Sequence, residues 1–275
     1  MDRSQQIRQF FAHLITANAG VPAGSELEAA FASTPREQFV GPPPWRVFTP
    51  RGYIESASDD PSVLYQDVVV SLGTPAPLNN GQPTLHAFCI QALNLKKGEH
   101  VLHIGAGSGY YTTILARLVG ETGSVGAYEI EPELAQRASA NLAQLPQVKV
   151  HERSGTIAPL PACDAIYVNA GATAPLAVWL DALKPQGRLL FPLTGSSGTG
   201  AMLLITRQTE DAYTARFLMQ VSFVSCVGAR DDATAKKLIK AFQNRNWSKV
   251  RTLYRNNETD RSCWFAGEGW WLSTR

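Results

Sequence analysis

Cysteine is scarce in this chain. Cys89, Cys163, Cys226 and Cys263 are the four in 275 residues, and no two form a CxxC pair. That scatter argues against a disulfide framework and against a thiolate zinc site. Histidine is sparse too: His13, His86, His100, His103 and His151 fall in no HExxH or other familiar ligand spacing, so no metal is expected. An excess of one charge is also missing, since 25 Lys and Arg against 23 Asp and Glu leave +2. Binding to nucleic acid or to a membrane surface usually needs a dense basic face, so neither is expected as a partner. The local cations Lys236, Lys237, Lys240, Arg245, Lys249 and Arg251 read as the solvated side of a helix. No apolar run is long enough to span a bilayer, and the start, Met-Asp-Arg-Ser-Gln-Gln, lacks the apolar core of a cleavable leader. The expectation is a monomer in a reduced, cytoplasmic setting.

What the chain does have is a hydrophobic fraction of 44%, enough for a sizeable globular core. Ile7, Phe10, Phe11, Leu14 and Ile15 recur at helical spacing near the start. Ser25 with Glu28, and Thr34 with Glu37 behind Pro35, read as two capping boxes. Residues 41–44 break the pattern, residues 45–64 read as a long loop, and residues 68–72 read as a strand. From Thr84 onward the period alternates. Helices are expected at 84–93, 110–118, 132–145 and 176–183. Strands are expected at 100–104, 124–129, 148–152, 165–169 and 188–192. Such alternation implies a largely parallel sheet flanked by helices. A hairpin over 201–207 and 213–224, a helix over 231–244 and a Trp-rich tail close the chain. Trp247, Trp264, Phe265, Trp270 and Trp271 are expected to bury against the sheet, with an aromatic lip or partner surface as the alternative.

The stretch Val101-Leu102-His103-Ile104-Gly105-Ala106-Gly107-Ser108-Gly109-Tyr110 runs from a buried strand through glycines into a helix. Glycines allow the sharp turn and the close approach of a ligand. Glu129 ends the next expected strand about 20 residues on, where a carboxylate can accept bonds from both hydroxyls of a ribose. Together they point to an adenosine-containing ligand. A dinucleotide fingerprint would place its third glycine one residue later, where Tyr110 stands. The shorter G-x-G-x-G suits a cofactor without pyrophosphate, such as S-adenosylmethionine.

At these residues the chain resembles the protein-L-isoaspartate O-methyltransferase family, from about residue 34 to about residue 227. Thr34-Pro35-Arg36-Glu37-Gln38-Phe39-Val40 is similar to the family's early "PRE-x-FV", and Tyr65-x-Asp67 to its Y-x-D. Residues 101–110 resemble "VLEIGTGSGY", Glu129-Ile130-x-Pro132-Glu133-Leu134 resembles "ERIPEL", and Leu183-Lys184-Pro185-Gln186-Gly187-Arg188-Leu189 resembles "LKPGGRL". The resemblance implies an α/β, Rossmann-like S-adenosylmethionine-dependent methyltransferase fold, its sheet mostly parallel with a C-terminal antiparallel hairpin. The implied division is an N-terminal helical segment and loop at 1–75, the cofactor-binding domain at 76–227, and a C-terminal helix with the Trp-rich extension at 228–275.

The cofactor residues expected from turn, acid and resemblance are Gly105, Ala106, Gly107, Ser108, Gly109, Glu129, Ile130, Ser154, Gly155 and His86. For the acceptor side the resemblance implies Gly81, Gln82 and Asp67, with a structural loop cap as the other reading of Asp67. Three positions depart from the family pattern: Gly81 stands where a serine is usual, His103 where an acid is, and Ser154 where an aspartate is. The implied activity is carboxyl O-methylation of a protein or peptide. A different acceptor (a small metabolite or a tRNA adenine) or a non-catalytic binding role remains as an alternative. A carboxylate acceptor is already ionised near neutral pH, its unperturbed pKa being ~4, so the absence of a Ser-His-Asp array is no objection.

Overall fold

The computed structural model describes residues 2–74, 77–210 and 212–275. In chain order its helices are α1 (Arg3–Asn18), α2 (Glu26–Ala32), α3 (Pro83–Leu93), α4 (Tyr110–Val119), α5 (Pro132–Asn141), α6 (Ala177–Ala182) and α7 (Asp232–Gln243). Its strands are β1 (Arg46–Thr49), β2 (Gly52–Glu55), β3 (His100–Ile104), β4 (Ser124–Glu129), β5 (Val148–Glu152), β6 (Cys163–Val168), β7 (Leu183–Thr194), β8 (Thr199–Arg207), β9 (Tyr213–Ser222), β10 (Thr252–Tyr254), β11 (Cys263–Gly267) and β12 (Trp270–Ser273). The chain forms two compact units, one of residues 1–99 and 106–153, the other of 100–105 and 154–275. The boundary expected between residues 75 and 76 lies outside the described residues.

In the first unit β4 and β5 pair in parallel, with Val125 opposite Val148 and Glu129 opposite Glu152. The N-terminal helices form as their caps direct. Asp2 accepts from the Gln5 amide at the start of α1, and Ser25 Oγ from the Glu28 amide at the start of α2. The Glu28 carboxylate reaches back to the Gly24 amide, completing the first capping box one residue early. The second expected box does not form. Thr34 Oγ1 donates to the Ala30 carbonyl, Glu37 accepts from the Tyr65 hydroxyl, and the turn between them is a short 3₁₀ helix, Arg36–Gln38. Both side chains are claimed by partners outside the box.

Residues 45–64, expected as loop, hold an antiparallel hairpin of β1 and β2 and a 3₁₀ turn, Pro61–Leu64. Four-residue strands joined by Pro50-Arg51 carry neither a clear alternation nor an Asn-Gly type signal. The strand expected at 68–72 reduces to single bridges, Val47 to Val70 and Ser71 to Asn79. This irregular backbone is held from outside by Arg36, whose side chain is fully buried. Its Nε donates to Asn80 Oδ1, Nη1 to the carbonyls of Leu64 and Gln66, and Nη2 to those of Val68 and Gly81.

In the second unit the strand order is β11-β12-β10-β9-β8-β7-β6-β3. β3, β6 and β7 run parallel, and their central residues, among them Val101, Ile166 and Leu189, are buried as near-continuous apolar runs. From β7 to the edge every pairing is antiparallel. The hairpin expected after Thr194 is therefore extended by three further strands from the Trp-rich tail. Trp247 and Trp264 pack edge-on against Phe217 of β9, at 5.8 and 5.1 Å, and Phe265, Trp270 and Trp271 are buried. Lys236, Lys237 and Lys240 lie on the exposed side of α7.

Arg36 makes one further expectation specific. Arg36→Met would strand five buried or half-buried acceptors, so urea unfolding is expected to show a loss of more than about 3 kcal/mol. Arg36→Lys, with a compact head that cannot span the same fork, is expected to recover only part of that loss.

Candidate functional site

The glycine turn and its acid meet in the first unit. Gly109, at φ +96°, is the N-cap of α4 and offers no side-chain cap. A β-carbon there would lie 2.9 Å from Leu142 Cδ1, so glycine is required both for the left-handed backbone and for the packing. The turn is tied to β4 twice. The Ala106 amide donates to the Tyr128 carbonyl at 3.1 Å, and the Gly107 amide donates to Glu129 Oε2 at 2.7 Å. Glu129 Oε1 accepts from the amides of Ile130 and Glu131 at 2.9 and 3.0 Å. The carboxylate is 6% exposed and is thus held by three backbone donors, a charge-assisted arrangement that fixes its direction. Ile130 beside it is exposed, and Ser108 Oγ is buried without a hydrogen-bond partner among the described residues.

A second cluster in the same unit gathers Asp67, Gly81, Gln82 and His86. Asp67 Oδ1 accepts from the Thr84 amide at 2.8 Å, in the first turn of α3, and Oδ2 accepts from Gln82 Nε2 at 2.9 Å. Asp67 therefore has the geometry of a helix cap, the structural role considered for it above. Gly81, at φ +66°, takes a bond from Arg36 at its carbonyl and gives one from its amide to Asn79 Oδ1. A β-carbon at residue 81 would lie 2.2 Å from His86 Nε2 and 2.8 Å from its Cδ2. The imidazole thus occupies the room of a residue 81 side chain. It is buried and stacks on Tyr111, ring centres 3.7 Å apart and planes 16° from parallel. Asn80 is buried and committed to Arg36, whereas Gln82 is exposed.

The remaining expected residues lie in the second unit. Gly105 approaches the Asn169 backbone, where a β-carbon would sit 3.5 Å from its carbonyl carbon. Ser154 Oγ pairs with Thr156 Oγ1 at 2.7 Å and accepts from the Thr156 amide, a local turn. Gly155 packs on β3, with room for no side chain against Ile104, and its carbonyl accepts from Trp179 Nε1. His103, fully buried, stacks on Tyr167 and lies 2.7 Å from Asn169 Nδ2. Sequence reasoning did not single out Arg36, Tyr111 or Asn169. Arg36 stood within the quoted "PRE-x-FV" residues, a signal that was available but read only as a motif. No group of three or more His, Cys, Asp or Glu side chains that could hold a metal ion is found among the described residues.

Burial pushes His103 down from its ordinary 6.5 to about 3, so it is neutral in the folded protein. The unfolded chain takes up that proton below its ordinary value and the folded chain does not, so stability is lost as pH falls between these limits. From about pH 7.5 to about pH 5 this side chain is expected to cost about 2 kcal/mol. Melting curves of His103→Gln against the parent should show a shallower acid dependence by about one proton.

Comparison with known proteins follows the same lines. The family model for protein-L-isoaspartate(D-aspartate) O-methyltransferase matches residues 9–231. The chain is 36% identical over 192 residues to the protein-L-isoaspartate O-methyltransferase of Brucella anthropi, covering 66% of this chain and 80% of that one. It is 35% identical over 212 residues to protein-L-isoaspartate O-methyltransferase 2 of Pelobacter propionicus, covering 73% and 82%. Among solved structures, a protein-L-isoaspartate O-methyltransferase aligns with a TM-score of 0.67 at 23% identity, over 86% of this chain and 69% of the other. A Plasmodium falciparum chain assigned the same activity, solved with S-adenosyl-L-homocysteine, aligns with a TM-score of 0.65 at 19% identity, over 80% and 98%. These two likenesses carry the α/β methyltransferase fold. With the family model spanning most of its length, the chain belongs to the protein-L-isoaspartate(D-aspartate) O-methyltransferase family.

Proposed function

We propose that the chain transfers the methyl group of S-adenosylmethionine to the free carboxylate of an isoaspartyl residue in a protein or peptide. The observation that carries this reading is the Glu129 carboxylate, fixed by three backbone amides at the end of β4 and bonded directly to the glycine turn. Oε1 is saturated by two of these amides, and Oε2, with one, keeps lone-pair capacity for a ribose hydroxyl. The residues fit such a cofactor. Ser108 Oγ is a buried hydroxyl in need of a partner, and the turn has no side chain at Gly107 or Gly109 to block close approach. Ile130, exposed beside the acid, suits an apolar face of the adenine.

When bound, the cofactor supplies an electrophilic methyl group on a sulfonium. The chain's own residues have three tasks: hold the ribose through Glu129, keep the turn rigid, and align the acceptor oxygen. In-line placement alone can supply a large part of the rate. An isoaspartyl carboxylate is ionised near neutral pH, so no residue has to remove a proton. Asp67, Gly81 and Gln82 are assigned to the acceptor side, and residues 106–109, Glu129 and Ile130 to the cofactor. His86, bonded into the first turn of α3, is assigned to the border between the two. No helix among the described residues is long and apolar enough to cross a membrane. A cytoplasmic monomer belongs to the same proposal. Support comes from four thiols without a disulfide, two of which, Cys163 and Cys226, are pushed up to about 12 by burial.

The test is incubation with methyl-labelled cofactor and an isoaspartyl peptide beside its aspartyl twin. Label is expected in the isoaspartyl peptide alone. Label in neither peptide, with S-adenosylhomocysteine still bound in calorimetry, would leave a binding protein or an enzyme for another acceptor. Glu129→Ala is expected to weaken S-adenosylhomocysteine binding by roughly 1–3 kcal/mol in a folded protein. Unchanged affinity would remove Glu129 from the site.

A further inference from the structure

The acceptor loop has no side chain at residue 81, and the structure shows what fills the gap. His86 Nε2 lies 2.2 Å from the place a β-carbon would take, with Cδ2 at 2.8 Å and Cε1 at 3.3 Å. The ring cannot easily swing away. It is stacked on Tyr111 and sits in the first turn of α3, its amide bonded to the Gln82 carbonyl. Of the two polar neighbours of Gly81, Asn80 is buried with its oxygen on Arg36. Gln82 is exposed, and one bond aims it: Nε2 donates to Asp67 Oδ2 at 2.9 Å. Asp67 is itself anchored by the Thr84 amide. A primary amide carries two N–H donors, so the bond to Asp67 leaves Gln82 one more to give. Two further polar atoms of this cluster, Thr84 Oγ1 and Tyr111 Oη, are buried without a hydrogen-bond partner among the described residues.

We propose that Gln82, oriented by Asp67, is the side chain that reads the anionic acceptor in this protein, and that His86 enforces this by occupying the space of a residue 81 side chain. The proposal rests on the methyltransferase reading above and names its acceptor-recognition residue. Asp67 and His86 are positioning residues in it. The second N–H of Gln82 donates to a carboxylate oxygen of the acceptor, while its carbonyl oxygen stays turned from that charge because Asp67 holds the amide nitrogen. The charge of the acceptor matters here: a glutamate at position 82 would repel both Asp67 and an incoming carboxylate.

The experiment measures kcat and KM for an isoaspartyl peptide, and Kd for S-adenosylhomocysteine, in the full chain and its variants. Gln82→Ala is expected to raise peptide KM about tenfold or more and to leave Kd unchanged. Gln82→Glu is expected to raise peptide KM further than Gln82→Ala, because it repels the incoming carboxylate as well as Asp67. Gly81→Ser should lower the melting temperature more in the parent than in a His86→Ala background. The backbone strain of serine at positive φ is common to both and cancels in that comparison. An active parent whose Gln82→Ala keeps its KM, or whose Gln82→Glu equals Gln82→Ala, overturns the role of Gln82. Equal melting shifts in the two backgrounds overturn the role of His86. A parent that methylates neither peptide overturns the isoaspartyl reading, and the acceptor assignment with it, whatever the melts show.

Discussion

A single buried guanidinium organises the irregular backbone that carries Gly81 and Gln82. Residues 64–68 and 79–82 form no regular strand, so their carbonyls have no ladder partners. Arg36 supplies donors to Leu64, Gln66, Val68, Gly81 and Asn80 at once, which only a planar fork with five N–H groups can do. Its charge is spread over oriented carbonyl dipoles. Arg137 works in the same way nearby, bonding the carbonyls of Leu72 and Phe39. The position of Gly81, the anchoring of Asp67 at α3 and the seat of His86 all follow from the path these arginines impose.

That dependence also explains what could be read from the residues alone. The glycine turn and Glu129 were legible because both are local: a tight βα turn needs glycines in a fixed spacing, and the acid follows at the end of the next strand. The alternation from Thr84 to Pro192 was legible for the same reason, its periods being intrinsic to each element. Arg36 was seen as part of a motif and not as a hub, since its acceptors are 28 to 45 positions away. Thr34 and Glu37 met the pattern of a capping box, yet Ala30 and Tyr65 took their side chains. Tertiary partners outcompeted a local motif there, and no local rule could have revealed it. The β1–β2 hairpin and the tail strands were lost because strands of three to five residues hold too little of a period.

The three departures from the family pattern share a form. Gly81 is matched by the imidazole that fills its side-chain space. His103, standing where an acid is usual, is kept neutral by burial and lies against Asn169. Ser154 closes a turn with Thr156 through its hydroxyl. In each case the altered residue is accommodated by its own immediate neighbours. A carboxylate acceptor needs alignment and not a proton shuttle, so the required groups are directional donors, and several side chains can supply them.

The tail beyond the family match has a consequence of another kind. Without it, β9, ten residues long, would be the last strand of the second unit, presenting unpaired amides and carbonyls at the sheet margin. Such a margin is a template for another chain of the same kind. β10 occupies the Tyr213 and Thr214 end of it, and the sheet then continues through β12 to β11. The new margin is five residues long and broken by a register shift between Cys263 and Phe265. A short, irregular border is a poor template, because an approaching strand finds no continuous run of partners. At the Tyr213 and Thr214 end of β9 the extension therefore replaces an open strand with a border poorly suited to pairing with another chain.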